Sequence, residues 1–193
     1  MKRARVAGSL ALLLGACLTG RDLYLKGKAE LACLLIRIAW EETLRTGRNT
    51  PPWPWADTHP VGRLLIPRLG LDEIVLEGAS LRTLAFGPAR MMSGAAPGEP
   101  GHLLLAGHRT SWFLPLQHVR RGDALVVEYW DGRTGGLGRS TYQVEDVRIV
   151  EPEEAAALLG PSGDDALTLV TCFPFGHSPW SPQRYLVRAR RQA

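Results

Sequence analysis

The chain has 193 residues, 45% of them hydrophobic and 22% charged, with a formal net charge of +4. This suits one globular domain with a core plus an extension, and the lack of repeats and low-complexity runs argues against solenoids and disorder. The surplus charge is local: residues 1–60 carry nine Lys/Arg against five Asp/Glu, whereas residues 61–193 carry fourteen arginines and fourteen acidic residues. A nucleic-acid binder needs its basic patch on the folded domain to neutralise phosphates, so nucleic acid is not an expected partner. All three lysines lie in the extension, and the arginine-only, Ala- and Gly-rich remainder reads as GC-rich codon usage, a hint of a bacterial source.

In chain order, Met1-Lys-Arg-Ala-Arg5 is a basic start, followed by a charge-free, mostly apolar run from Val6 to Thr19. The run is short for a spanning helix, which needs about 20 residues, but suits a signal segment. The expected reading is a retained signal anchor over residues 1–20. A cleaved signal peptide and a lipoprotein signal ending at Cys17 are the alternatives. Residues 22–48 are expected to be helical, with Glu30, Arg37 and Glu41 in one polar stripe and Leu31, Leu34, Leu35, Ile36, Ile38 and Trp40 covering much of the rest. Such a helix must dock on the main domain or on a membrane surface. Four prolines between residues 51 and 60, with Trp53 and Trp55, then make an extended linker. Residues 21–60 are therefore read as helix plus linker.

From Val61 the pattern becomes short apolar runs between Gly, Pro and Asp punctuation, which is β-rich texture. Strands are predicted near Arg63–Ile66, Ile74–Glu77, His102–Ala106, Ala124–Trp130, Thr141–Val150, Leu167–Cys172 and Arg184–Arg190, with a hairpin turn at Asp131-Gly132. Short helices are predicted at Ser80–Ala85 and Pro152–Leu159. Many short strands with little helix imply a mainly β fold, an antiparallel barrel or sandwich over residues 61–193.

Of three cysteines only Cys172 lies in this domain, so no disulfide can form within it, and no C-x-x-C supports a zinc site. No metal and no cofactor are expected; the pair Asp164-Asp165 reads as a solvated turn. Ala166-Leu-Thr-Leu-Val-Thr-Cys172 is a strand stopped two residues later by Pro174, which puts the thiol at a sheet rim. His108 likewise follows an apolar strand, after Gly107, whereas His102 lies at that strand's other end and His59 and His118 sit in surface-like contexts. His177, on the loop after Cys172, is the alternate base. Arg184 opens the last strand, with Arg188 on the same face as its runner-up. A thiol nucleophile, a histidine that passes a proton to a leaving amine, and an arginine that holds an oxyanion form a chemically coherent set.

These segments carry a resemblance. Thr168-Leu-Val-Thr-Cys172 matches the sortase signature TLxTC, Gly107-His108-Arg109 resembles the sortase histidine segment, and Arg184-Tyr-Leu-Val resembles the segment bearing the sortase arginine. Ile66-Pro67, Gly70-Leu-Asp and Pro97-Gly-Glu99 are similar to upstream sortase segments. Lys28-Ala-Glu-Leu-Ala, Ala39-Trp40, Pro52-Trp-Pro-Trp-Ala-Asp57 and Leu84-Ala-Phe-Gly-Pro88 resemble the Gram-negative proteobacterial group called class GN, although Thr110 stands where that group often has an acidic residue.

The resemblance implies an eight-stranded sortase-type β-barrel, preceded by the anchor and the docking helix. It implies a transpeptidase that cleaves an LPxTG-like C-terminal sorting signal of a dedicated secreted target protein. Cys172 would be the nucleophile, His108 the acid and base, Arg184 the substrate and oxyanion holder. Thr171 would be a substrate contact or a plain strand residue. The expected location is a bacterial inner membrane, with the catalytic domain in the periplasm. A papain-like hydrolase is disfavoured by the order His, Cys, Arg, and another cell-wall cysteine transpeptidase by the absence of a Ser-His-Gly-Cys segment. A membrane-tethered β-domain that binds peptide without reacting is the non-enzymatic alternative.

Overall fold

A computed structural model describes residues 24, 26–160, 163–176 and 181–192. The expected signal anchor, Cys17 and His177 lie outside these residues. Among the described residues no helix is long and apolar enough to cross a membrane.

Eight strands close into a barrel: β1 (Pro60–Ile66), β2 (Leu71–Glu77), β3 (Ala89–Arg90), β4 (His102–Ala106), β5 (Ala124–Asp131), β6 (Gly136–Val150), β7 (Ala166–Cys172) and β8 (Arg184–Arg191). Around the barrel the order is β1-β2-β3-β4-β7-β8-β6-β5. The pairs β2–β3 and β4–β7 are parallel and the other six antiparallel. All seven predicted strands are present. The sequence pattern misses the two-residue β3, too short to show a period, and the first five residues of β6. Those five contain Gly136 and Gly138, poor strand formers by propensity. Gly138 faces Tyr129 across the β5–β6 ladder, and a Cβ there would fall 2.4 Å from the ring. The ring covers the glycine and supplies the packing its missing side chain cannot.

Alternation along the strands fills the barrel. Leu64, Ile66, Leu103, Leu105, Leu125, Val127, Leu167, Leu169 and Val187 are fully or almost fully buried in one interior cluster with Phe113 and Leu116. The residues between them point outward. On the outer side of β7 and β8, Val170 and Leu186 are covered by helix α3 (Pro152–Leu158), which contributes Ala155 and brings Leu159 with it. Pro at its first turn and the acidic pair Glu153 and Glu154 suit a helix start, as expected.

The extension forms helix α1 over residues 26–46. It ends at Gly47, which has a φ of 71° and donates its N–H to Thr43 O at 2.8 Å, a left-handed cap. The helix docks on the barrel rather than standing apart: Ala32, Ile36, Ala39, Trp40 and Thr43 are buried. Ile36 packs with Leu76 and Ala89, against Trp53, Ile74 and Phe86. Glu30, Arg37 and Glu41 are exposed as expected, but so are Leu31, Leu34 and Ile38. Trp53 meets Phe86 edge to face at 5.1 Å, whereas Trp55 is 83% exposed. The predicted helix near Ser80–Ala85 is α2 (Leu81–Leu84), capped by Ser80, whose Oγ accepts from Thr83 N.

Candidate active site

β7 is the middle strand of the site. Its first six residues are buried and only Cys172 is partly open. Phe173 still donates its N–H to Gln183 O at 3.0 Å, but Pro174 has no N–H and ends the ladder. The cysteine therefore sits where the strand stops.

On one side β7 pairs in parallel with β4, and Ala106 lies opposite Val170. Gly107 N donates to Val170 O at 3.1 Å. His108 follows two residues after the last pair of this ladder. On the other side β8 runs antiparallel, and Arg184 is the register partner of Cys172. Neighbouring strands lie about 4.8 Å apart, so Cys172 and Arg184 are adjacent on one rim of the sheet, and His108 leaves β4 at the same end. Cys172 and Arg184 have the parity of Val170 and Leu186, opposite to the interior Leu169 and Val187. They therefore face the outer side, one rung beyond the apolar patch that α3 covers.

The loop carrying His108 is tightly held. His108 O accepts from Phe113 N at 3.0 Å and from Ser111 N at 3.4 Å. A Cβ on Gly107 would fall 2.7 Å from the buried Phe113 ring, so the chain can approach this closely only as glycine. Thr171, expected as a substrate contact or a strand residue, is only 3% exposed. Its hydroxyl donates to Gly107 O at 2.7 Å. Its parity turns it to the opposite side from Cys172, so its influence on the site runs through the backbone beside His108, not through an open groove. Arg109 donates from Nη1 to Pro174 O at 2.8 Å, joining the histidine loop to the turn after the cysteine. In the sequence Arg109 stands out only as part of a motif, because the bond links residues 65 positions apart.

Arg184 donates from Nη1 to Pro182 O at 2.7 Å and to Gln183 O at 3.1 Å. Among the described residues no carboxylate pairs with Cys172, His108 or Arg184. Arg188, the alternative arginine, lies opposite Thr168, four residues or about 13 Å along the strand at ~3.3 Å per residue. It is bound to Glu145 and Asp164. The geometry separates it from Cys172.

The other histidines divide as the topology dictates. His102 is opposite Ala166 at the far end of β4 and is 4% exposed. Its Nε2 lies 2.8 Å from Thr168 Oγ1, and its Nδ1 is buried. Burial, and then the Arg188 charge, hold its pKa below the ordinary histidine value. His118 is exposed as expected, but His59 is half-buried. Asp164 and Asp165 are engaged by the protein itself, the first by Arg188 and the second by Gly101 N at 2.5 Å. Among the described residues no group of three or more His, Cys, Asp or Glu could hold a metal ion.

Comparison with known proteins agrees with this architecture. A family model described as "Sortase domain" matches residues 64–192. Sortase D of Bacillus subtilis (strain 168) is 26% identical over 132 residues, which is 67% of this chain and 63% of that relative. The chain thus spans less than two thirds of the length of this curated relative. Among solved structures, sortase A from Corynebacterium diphtheriae superposes with a TM-score of 0.61 at 27% identity, over 72% of this chain and 63% of the other. A sortase D5 transpeptidase from Clostridium perfringens gives 0.62 at 21% identity, over 79% and 88%, a likeness of fold.

Proposed function

This chain belongs to the sortase family, and from that premise we propose that it is a cysteine transpeptidase acting on an LPxTG-like C-terminal sorting signal of a dedicated target protein. The observation that supports the reading best is the rim itself, where Arg184 is the register partner of Cys172 and His108 follows two residues after the last pair of β4 with β7. In the proposed reaction the Cys172 sulfur attacks the carbonyl carbon of the Thr–Gly bond. A thioester forms as that C–N bond breaks, and His108 gives its proton to the departing amine. His108 then takes a proton from an incoming amine, or from water, as the thioester is resolved. The Nη1 bonds of Arg184 to two carbonyls aim its guanidinium, leaving Nε and Nη2 as donors for the substrate backbone and the tetrahedral oxyanion.

The class GN assignment rests on the segments quoted from the extension and from Leu84–Pro88. The proposed setting is the outer face of a bacterial inner membrane. Residues 1–20 serve as the anchor and the barrel lies in the periplasm. The test is labelling: a chloromethyl ketone or vinyl sulfone built on an LPxTG-type peptide should modify the wild-type protein at Cys172, read by mass spectrometry. An adduct forming equally well on Cys172→Ala would overturn the assignment. Peptide binding with no adduct and no turnover would favour the non-catalytic β-domain.

A further inference from the structure

The β4–β7 ladder ends one step short of the site. Ala106 opposite Val170 is its last register pair, with one further bond from Gly107 N to Val170 O. Beyond that point no backbone bond between the two segments holds His108 beside Cys172 among the described residues. Two side chains take over where the ladder stops. Thr171 Oγ1 donates to Gly107 O at 2.7 Å, tying the residue before the cysteine to the residue before the histidine. Arg109 Nη1 donates to Pro174 O at 2.8 Å, tying the residue after the histidine to the turn after the cysteine. The reacting pair is thus bracketed on both sides by cross-links that the backbone cannot make. Pro174 has no N–H to offer, so its carbonyl is what this turn presents, and a cationic donor makes the stronger kind of bond to it.

We propose that Arg109 is a positioning residue of the transpeptidase: its guanidinium clamps the histidine loop to the turn after the cysteine and so sets the separation of His108 and Cys172. This rests on the functional reading above. The physical reason for expecting a large effect is that proton transfer from His108 and attack by the sulfur both need the pair within hydrogen-bond reach. Displacements near 1 Å at reacting groups cost on the order of 100-fold in rate. The bond from Arg109 to Pro174 O runs to the protein's own backbone, which suits a positioning role. The Thr171 bond remains in an Arg109 variant, so the barrel and most of the loop should survive the change.

The test compares Arg109→Gln and Arg109→Lys with wild type in the full chain, using an LPxTG-type peptide. For Arg109→Gln, kcat should fall on the order of 10- to 100-fold with KM within about twofold and Tm within about 4 °C. Arg109→Lys, which keeps the charge but not the planar fork, should recover part of the loss. Amide hydrogen exchange across residues 107–113 should speed up in Arg109→Gln while exchange in β1 and β5 stays unchanged. That last readout does not depend on turnover. If wild type neither turns over nor labels at Cys172, the functional reading fails, and unchanged exchange in the variant would separately overturn the clamp. Unchanged kcat would overturn the positioning role. So would a rise in KM at constant kcat, which would make Arg109 a substrate binder, or a loss of activity that only follows a fall in Tm.

Discussion

Arg184 and Arg188 are the same residue type on the same face of one strand, and register position and partners tell them apart. Arg188 is spent on Glu145 and Asp164, while Arg184 leans on two backbone carbonyls beside Cys172. The proposed oxyanion role therefore belongs to Arg184 and depends on its planar fork. Arg184→Lys keeps the charge but cannot hold both carbonyls and the substrate in one plane. It should lower kcat/KM by on the order of 100- to 1,000-fold, the usual cost of losing an oxyanion donor, with the circular dichroism spectrum unchanged. Near wild-type turnover would move the role elsewhere. Thr171 teaches a related lesson. A residue next to the proposed nucleophile in sequence faces away from it in a strand, and its hydroxyl bonds the Gly107 carbonyl just past the end of β4 instead.

Between the strands, charge pins connections that also reach into the core through Phe113, Leu116 and Val119. Arg68, in the 3-10 turn Pro67–Leu69, makes a two-pronged bond to Asp123 at 2.5 and 2.6 Å and donates to His118 O. Asp123 also accepts from Arg120 N at 2.8 Å and is almost buried. The turn after β1 is thus locked to the loop that follows the histidine segment. The Arg68 guanidinium, with the Arg120 N–H, holds the Asp123 carboxyl below its ordinary pKa. Its contribution is therefore complete above the unfolded value of 3.8 and is lost as pH falls through the lower folded value. Asp123→Asn should lower the unfolding free energy by about 1–3 kcal/mol at neutral pH. The deficit should shrink towards zero in strong acid when denaturant melts are compared across pH. A deficit that stays constant with pH would refute the ionic origin.

For the whole molecule, helix α1 joins the barrel to the segment expected to hold it at a membrane. It buries Ile36, Ala39 and Trp40 on the barrel yet leaves Leu31, Leu34 and Ile38 in the open. The proposed setting makes a plain prediction about the intact chain. Full-length protein expressed in a Gram-negative host should remain in the membrane fraction after a high-salt wash, with residues 1–20 still present by mass spectrometry. Recovery of a lipid on Cys17 would replace the signal anchor by a lipoprotein anchor. A soluble product lacking the first twenty residues would mean cleavage.

Much of the fold and of the candidate site is legible along the chain. Short apolar runs locate seven of eight strands, Pro, Gly and Asp punctuation separates them, and TLxTC with a histidine upstream and an arginine downstream picks out Cys172, His108 and Arg184 as candidates. Those signals are local or depend on spacing, which a linear chain carries in full. What tertiary structure decided is everything that depends on which strands become neighbours. β4 and β7 are about 60 residues apart in sequence yet adjacent in the barrel, which brings the loop carrying His108 to the rim where Cys172 ends β7. The same pairing sends His102 to the far end, separates Arg188 from the thiol, turns Thr171 inward, and lets Arg109 reach Pro174. Sequence by itself determined the residue types and their order. The closed barrel determined their distances, because register between non-consecutive strands is set by packing around a shared core and leaves no mark along the chain.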